Sequence, residues 1–276
     1  MGRAYAIILA GGEGRRLVRP GDGERFGPLA VLPKIGSLLE ATIEQLQPLI
    51  AREDLYLVVG AAQRPLVRRR IPHLPVQQMI SEPLARGTLI ALVRAMAVIE
   101  RRDDDIALVL PANAYLEDPS SWRRSVSAAL DRAALADHRL GPAVVLGVEP
   151  SESRADLSYL TYQKEDLVAS LVSSSSRSET TRLISRGARW SSGVFAIRHD
   201  RLRSALWEIA PELVAALGGR ADLATAYAAL ARVDYDRRLL GGLATIGALR
   251  WRGLDAGWST IGSPVALQEL LERLAR

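Results

Sequence analysis

Four stretches are apolar almost throughout: YAIILA (5–10), LYLVVG (55–60), IALVLPA (106–112) and AVVLGVE (143–149). A run with no polar alternation predicts a strand covered on both faces, as in a parallel sheet between helices. Helical patterns lie between the runs. SLLEATIEQL (37–46) opens with Ser37 and carries Glu40 three residues on, the spacing of a capping box. GTLIALVRAMAVIERR (87–102) has an apolar stripe through Leu89, Leu92, Val93, Met96 and Ile99. DPSSWRRSVSAALDRAAL (118–135) offers Asp118 and Ser120 as N-caps. A last helix starts at Ser263 with Pro264 in its first turn, and its stripe runs through Leu267, Leu270, Leu271 and Leu274.

Alternating strands and helices predict an α/β fold of the doubly wound kind. The second half is less regular. YLTYQKE (159–165) and WSSGVFAIR (190–198) read as strands, and the polar stretch SSSSRSETTR (173–182) reads as a mobile loop. No internal repeat or proline-rich linker divides the chain, which predicts a single domain over 1–276 with no C-terminal extension.

Composition narrows the chemistry. The 276 residues contain no cysteine and three histidines, His73, His138 and His199. That excludes a thiol nucleophile and a thiolate or clustered-histidine metal site. Backbone amides, carboxylates and cationic side chains remain. No run of about 18 apolar residues is present, so no membrane partner is expected. The opening MGRAYAIILAGG reads as a first strand, not a signal peptide. With no cysteine, a cytoplasmic location is the expectation. The net charge of +5 comes almost wholly from arginine, since Lys34 and Lys164 are the only lysines. The densest basic patch, RPLVRRR (64–70), has no interleaved aromatics and reads as a solvated face, so no nucleic-acid partner is expected.

The first strand opens directly into LAGGEGRRL (9–17). In an open α/β sheet, ligands bind beyond the carboxyl ends of the strands. Gly11, Gly12 and Gly14 allow the backbone to approach a ligand and to adopt positive φ. Their N–H groups can face phosphate oxygens, and Arg15 or Arg16 can add a charged fork. The pattern is not a Rossmann fingerprint, because Leu17 stands where a third glycine belongs. Nor does it end in the G-K-[ST] of a P-loop.

LAGGEGRRL followed by LPK (32–34) resembles the signature of the sugar-phosphate nucleotidyltransferases, and most nearly the mannose-1-phosphate guanylyltransferases. SLLEAT (37–42), SEPLARGTLIAL (81–92), LVLPANAYLED (108–118), RWSSGVFAIR (189–198), VDYDRRLL (233–240) and GWSTIGS (257–263) resemble later segments of that family, in its order. The resemblance implies a Rossmann-like, GT-A-type fold with a mixed, mostly parallel sheet flanked by helices. It implies attack of a sugar 1-phosphate on the α-phosphate of a nucleoside triphosphate, most readily GTP, with magnesium as cofactor. It places Leu9, Gly11, Gly12, Gly14 and Arg16 at the nucleotide, with Arg16 and Lys34 as catalytic cations. Glu82, Arg86, Gly87 and Thr88 fall around base and ribose. Gly147, Ser191 and Gly193 fall on the sugar side.

The departures from the family gather on one side of the reaction. Its two metal-binding aspartates correspond to Asn113 and Thr260. Its E-K-P triplet falls near Ser173, Ser174 and Ser175, its strand asparagine is Ser191, and its T-G-Y-G segment has become ADLSY (155–159). Magnesium prefers hard oxygen ligands that include a carboxylate. Asn113 and Thr260 supply neutral oxygens only, which predicts weak or absent metal binding unless Glu117, Asp118 or Asp255 substitutes. Two readings stay open: a divergent nucleotidyltransferase with a rebuilt acceptor site, and a catalytically degenerate nucleotide-binding or regulatory relative. Under either reading, a homodimer or pairing with an active relative is expected.

Overall fold

In this computed structural model the described residues are 2–11, 28, 31–32, 35–135, 143–163, 166–218, 222–233, 235–261 and 264–275. β1 (Ala4–Leu9) lies inside the main sheet. After the short pair β2 (Val31–Leu32) and β3 (Gly36–Ser37), α1 (Leu38–Leu46) starts with the capping box in place: Glu40 N–H donates to Ser37 Oγ at 3.2 Å and Ser37 N–H to Glu40 Oε2 at 3.0 Å. β4 (Leu55–Gly60), α2 (Arg64–Arg70), β5 (Met79–Glu82), α3 (Thr88–Met96) and β6 (Ile106–Pro111) follow. The order β6-β1-β4-β5 is parallel throughout, with Ile8 level with Leu57 on one side and Leu110 on the other.

The rest of the sheet is mixed. β7 (Ala114–Tyr115) and α4 (Pro119–Ala134) lead to β8 (Ala143–Val148), β9 (Ser158–Tyr162) and β10 (Val168–Ser173). α5 (Arg177–Ser185) precedes β11 (Arg189–Arg198), which runs antiparallel to β6, β8 and β9. Then come α6 (His199–Ile209), α7 (Pro211–Gly218), α8 (Leu223–Ala229) and α9 (Gly241–Thr245). β12 (Leu249–Gly253) lies parallel to β8, β13 (Ser259–Thr260) pairs with β7, and α10 (Pro264–Ala275) ends the described chain.

The continuous apolar runs are explained by two cores. On one face Ala6 and Ile8 of β1 pack with Leu39 and Ile43 of α1 and Trp122 and Val126 of α4. On the other, Tyr5 and Ile7 pack with Leu89 and Leu92 of α3 and Leu202 and Leu206 of α6. Each successive side chain of β1 therefore leaves water, one to each face. The parallel strands end together at Leu9, Gly60, Glu82 and Pro111, and this edge carries the candidate site.

Three expectations need correction. The stretch 173–182 is not a loop: it closes β10 and then forms most of α5. Ser176 caps this helix by accepting from Glu179 N–H at 3.4 Å, and the fully buried Thr180 anchors it. Only Leu183 and Ile184, half-buried against the core, add apolar contact to Thr180, too short a stripe to mark a helix in the sequence. The helix after Gly87 ends at Met96, six residues short of the expected span; the turn that follows keeps the hydrogen bond from Ile99 N–H to Ala95 O at 2.9 Å, and Ile99 stays buried. The strand expected over 159–165 spans Ser158–Tyr162, and residues 164–165 lie outside the described residues.

Among the described residues no helix is long and apolar enough to cross a membrane. In α2 only Val67 is buried, and Arg68, Arg69 and Arg70 are exposed.

Candidate functional site

At the end of β1 the backbone is gripped from both sides. Ala10 N–H donates to Val58 O at 2.9 Å, and Ala112 N–H donates to Leu9 O at 3.2 Å. The chain then reaches Gly11. Gly11 is not among the described glycines with positive φ. Its need for glycine is one of space: a Cβ there would overlap Oε2 of Glu82. Gly12, Gly14, Arg16 and Lys34 lie outside the described residues.

Glu82 ends β5, paired with Gly60, and is 2% exposed. Its Oε1 accepts a hydrogen bond from the hydroxyl of Tyr227, at 3.1 Å. Burial pushes its carboxyl up to about 7, an effect partly offset by the Tyr227 hydrogen bond. The tyrosine hydroxyl is itself pushed far above its ordinary value, by burial first and then by the neighbouring carboxylate. Arg86 reaches the same helix. Its Nε donates to Tyr227 O at 2.9 Å and a terminal nitrogen donates to Ala228 O at 3.2 Å, satisfying carbonyls at the end of α8. Gly87 has φ +110°, and a Cβ there would approach Val233 O to 3.0 Å. Thr88 opens α3. Glu82 thus meets Gly11, Arg86 meets α8, Gly87 meets Val233, and Thr88 follows at the start of α3. Tyr227 is absent from the sequence-based set of site residues; nothing in its local pattern marks it as the partner of a residue 145 positions away.

Asn113 and Thr260 are brought together. Ile261 N–H donates to Asn113 O at 2.8 Å beside the β7–β13 ladder, and Asn113 Nδ2 donates to Thr260 Oγ1 at 3.2 Å. The carboxylates nearest in sequence are differently placed. Glu117 pairs with Arg273 at 3.2 Å and packs against Gly257, where no Cβ fits. Asp118 caps α4, accepting from Ser120 and Ser121 N–H at 2.9 and 3.1 Å, and a hydrogen bond from the Ser120 hydroxyl, followed by those from the backbone, holds its carboxyl below the usual range. Asp255 is exposed. Among the described residues no group of three or more acidic or histidine side chains could hold a metal ion. Among the described residues the two converging positions, Asn113 and Thr260, do not fit a magnesium site: both are neutral and they are bonded to each other.

On the sugar side, Ser191 of β11 pairs with Gly147 of β8, whose Cα face is filled by Leu160, Trp251 and Arg189. The register then shifts before Phe195. Gly193, at φ +73°, lies in that shift against the ring of Pro111. The serines at the E-K-P positions bond within the protein: Ser173 Oγ lies 3.0 Å from Ser158 Oγ, and Ser174 Oγ donates to Glu179. A cavity of about 340 Å³ adjoins Thr260, lined by Arg154, Ser259, Glu269, Glu272 and Arg273. Its guanidinium groups carry carboxylate partners, Arg154 with Asp156 at 2.7 Å and Arg273 with Glu117.

Residues 5–276 match the sequence profile of the nucleotidyl transferase family. A Vibrio cholerae protein provisionally named mannose-1-phosphate guanylyltransferase is 26% identical over 219 residues, 75% of this chain and 45% of that protein. The alginate biosynthesis protein AlgA of Pseudomonas fluorescens is 27% identical over 221 residues, 75% of this chain and 44% of AlgA. The chain thus spans less than half the length of these relatives. A solved structure from Thermus thermophilus, described as a mannose-1-phosphate geranyltransferase, superposes with a TM-score of 0.81 at 26% identity, over 99% of this chain and 79% of that one. The inositol-1-phosphate CTP transferase of T. maritima shares the fold, with a TM-score of 0.65 at 16% identity over 99% of this chain and 95% of its own. With the profile matched from the first strand to the last helix, the chain belongs to the nucleotidyl transferase family.

Proposed function

We propose that the protein binds a nucleoside triphosphate, GTP foremost, on one nucleotidyltransferase-like domain, and that its nucleotidyl-transfer half is degenerate. The observation that carries this is the hydrogen bond between Asn113 and Thr260, which ties up two positions where the family resemblance implies anionic metal ligands. Leu9, Gly11, Gly12, Gly14 and Arg16 surround the triphosphate in this reading. Glu82, Arg86, Gly87 and Thr88 face base and ribose, and Lys34 lies at the phosphate to be transferred.

In the family reaction an oxygen of the sugar 1-phosphate attacks the α-phosphorus in line, and the bond to the departing pyrophosphate breaks. Catalysis is then positioning and neutralisation of phosphate charge. The chain's own contribution is the guanidinium of Arg16, the ammonium of Lys34 and the backbone amides of the first loop. Two neutral side chains at Asn113 and Thr260 add no charge to hold a cation there.

A divergent transferase with a rebuilt acceptor site is the second reading. It is favoured by the polar cavity beside Thr260. Both readings take the protein as cytoplasmic, a homodimer or the partner of an active relative. The test is calorimetric titration with each common triphosphate, with and without magnesium, followed by pyrophosphate release from GTP plus mannose 1-phosphate. Triphosphate binding with little or no release is expected, and Arg16→Ala should weaken binding markedly. Release at an ordinary enzyme rate, about 1 to 1,000 per second, would establish the transferase reading. Binding of no triphosphate under any condition would sink both.

A further inference from the structure

On much of the surface arginine is matched with a carboxylate. Arg154 holds Asp156 at 2.7 Å, Arg189 holds Glu149 at 2.8 Å, Arg203 holds Asp103 at 2.9 Å and Arg198 holds Asp200 at 3.1 Å. The face built on α2 is different. Among the described residues Arg52, Arg64, Arg68, Arg69 and Arg70 have no carboxylate partner. Arg64 is half-buried and the other four are exposed. The guanidinium of Arg68 makes one bond, donated to Leu74 O at 3.4 Å. Arg64 and Arg68 stand one turn apart, where like charges repel. The helix dipole favours cations in the last turn of α2, which accounts for Arg68, Arg69 and Arg70. It does not account for Arg52, which comes from the segment before β4. A cleft of about 250 Å³ adjoins this face. Ile43 of α1 lines it together with Ile71 and Leu74, which follow α2. Arg52, Arg70 and His73 border it from the α2 side, and Glu40 and Glu44 from α1. Arg52 precedes β4, and Ile71, His73 and Leu74 precede β5, so this end of the cleft lies by the amino ends of those strands, away from the edge at Gly60 and Glu82.

We propose that the α2 face and its cleft are a docking surface for an acidic segment of a partner protein, with one apolar side chain seated between Ile43, Ile71 and Leu74 and carboxylates lying on Arg68, Arg69 and Arg70. The arrangement has the anatomy of a protein interface: an apolar anchor pocket with a charged rim. Exposed guanidinium groups without partners suit carboxylates, which they grip with two parallel hydrogen bonds. The cleft is also polar in one direction. Glu40 is bonded to Ser37 N–H at 3.0 Å and Glu44 is exposed, so the α1 side repels further negative charge. A protein segment can carry carboxylates on one side only, and the cleft then fixes its orientation. A nucleic-acid backbone or an anionic bilayer spreads its charge evenly and would meet Glu40 and Glu44 as well. The proposal is independent of nucleotide binding, because it uses none of the residues assigned to the nucleotide.

The experiment measures fluorescence anisotropy of a labelled glutamate-rich peptide with one central leucine, titrated with the full chain. Its comparators are the same peptide with serine for leucine, the same peptide with lysine for glutamate, duplex DNA, and vesicles containing phosphatidylserine. The parent should bind the leucine peptide most tightly and the lysine peptide not at all. Replacing the leucine should weaken binding about tenfold, the worth of burying one such side chain. The triple variant Arg68→Glu, Arg69→Glu, Arg70→Glu should weaken it by about tenfold or more. A triple variant with the same change in net charge, Arg124→Glu, Arg186→Glu, Arg252→Glu, reverses exposed arginines elsewhere and should bind like the parent. Equal losses in the two triples would show that net charge alone draws the peptide, and would overturn the proposal. So would equal binding of the leucine and serine peptides, or no binding of either. Tighter binding of DNA or of vesicles than of the leucine peptide would also overturn it, in favour of that other surface. If the α2 triple does not fold, shown by circular dichroism, Arg52→Glu plus Arg70→Glu at the cleft decides in its place: parent-like affinity overturns the proposal, and about a tenfold loss supports it.

Discussion

Asn113 Nδ2 donates to Thr260 Oγ1 over 3.2 Å, joining two side chains 147 residues apart at the end of the sheet that carries the first loop. Two aspartates at this separation would repel each other unless a cation lay between them. The neutral pair needs none, because each side chain satisfies the other. Neither side chain of the pair brings a negative charge to draw a cation.

Nucleotide affinity should therefore depend only weakly on magnesium. Asn113→Asp plus Thr260→Asp should restore a carboxylate pair and strengthen that dependence. The single changes should do little, since each leaves one carboxylate beside a neutral partner, so the effects are non-additive. Titrating magnesium against GTP affinity in the parent, both singles and the double checks this. A parent that already binds magnesium–GTP tightly, with no gain in the double variant, would show that other carboxylates hold the ion.

Two buried groups make stability depend on pH in opposite directions. Glu82 is raised from an ordinary value near 4.5 to about 7, so the fold favours its protonated form. Stability is lost as pH rises from about 4.5 to about 7 and then levels off, a total of about 3 kcal/mol at about 1.4 kcal/mol per pH unit. His199 is 3% exposed and lies within 2.6 Å of the Tyr5 hydroxyl, and burial lowers its pKa. Its contribution is present above the ordinary histidine value near 6.5 and is lost as pH falls below it. Glu82→Gln should gain stability over the parent chiefly above pH 7, while His199→Gln should gain chiefly below pH 6. Urea denaturation across this range measures both. A Glu82→Gln gain of equal size at pH 4 and pH 8 would mean that ionisation of Glu82 is not what the fold opposes.

Much of this fold can be read directly from the chain, and the exceptions have a common cause. The runs at 5–10, 55–60 and 106–112 form adjacent parallel strands because both of their faces leave water. Ser37 with Glu40 forms the capping box its spacing predicts. By contrast α5 has the Ser176 cap, buried Thr180 and only two half-buried apolar side chains, Leu183 and Ile184, and so its sequence looks like a polar loop. The convergence of Asn113 with Thr260 followed from the family resemblance. The bond between Glu82 and Tyr227 did not, because pattern reports which face of an element is buried, not which distant element covers it. Gly11 carried a different surprise. Its signal in the sequence was flexibility, and its constraint in the fold is the space taken by Glu82.

The polar helix α5 gives a control for stability without function. Ser176→Ala removes the cap that accepts from Glu179 N–H and should cost about 1 kcal/mol. GTP affinity should be unchanged, since α5 touches neither Gly11 nor Glu82 among the described contacts. Chemical denaturation and calorimetry on the same sample test both halves. A loss of GTP affinity beyond twofold, with the protein still folded, would place α5 nearer the nucleotide than the site described above allows.

Gly11→Ala is the sharpest test of how the first loop meets β5. An alanine Cβ would overlap Oε2 of Glu82, and the carboxyl cannot simply swing away, because Tyr227 holds Oε1 and the group is buried. Forcing one carbon into such a contact costs about 1–3 kcal/mol. The variant should melt lower and bind GTP more weakly. If Glu82 is the cause, shortening it should relieve the cost. In a Glu82→Ala background, Gly11→Ala should therefore be nearly neutral for stability, and the cycle of four proteins should show a coupling of about 1 kcal/mol or more. A Gly11→Ala change that costs the same in both backgrounds would show that Glu82 does not set the requirement for glycine. The close approach of a ligand to the loop would then be the better explanation, and it would be visible as a loss of GTP affinity far larger than the loss of stability.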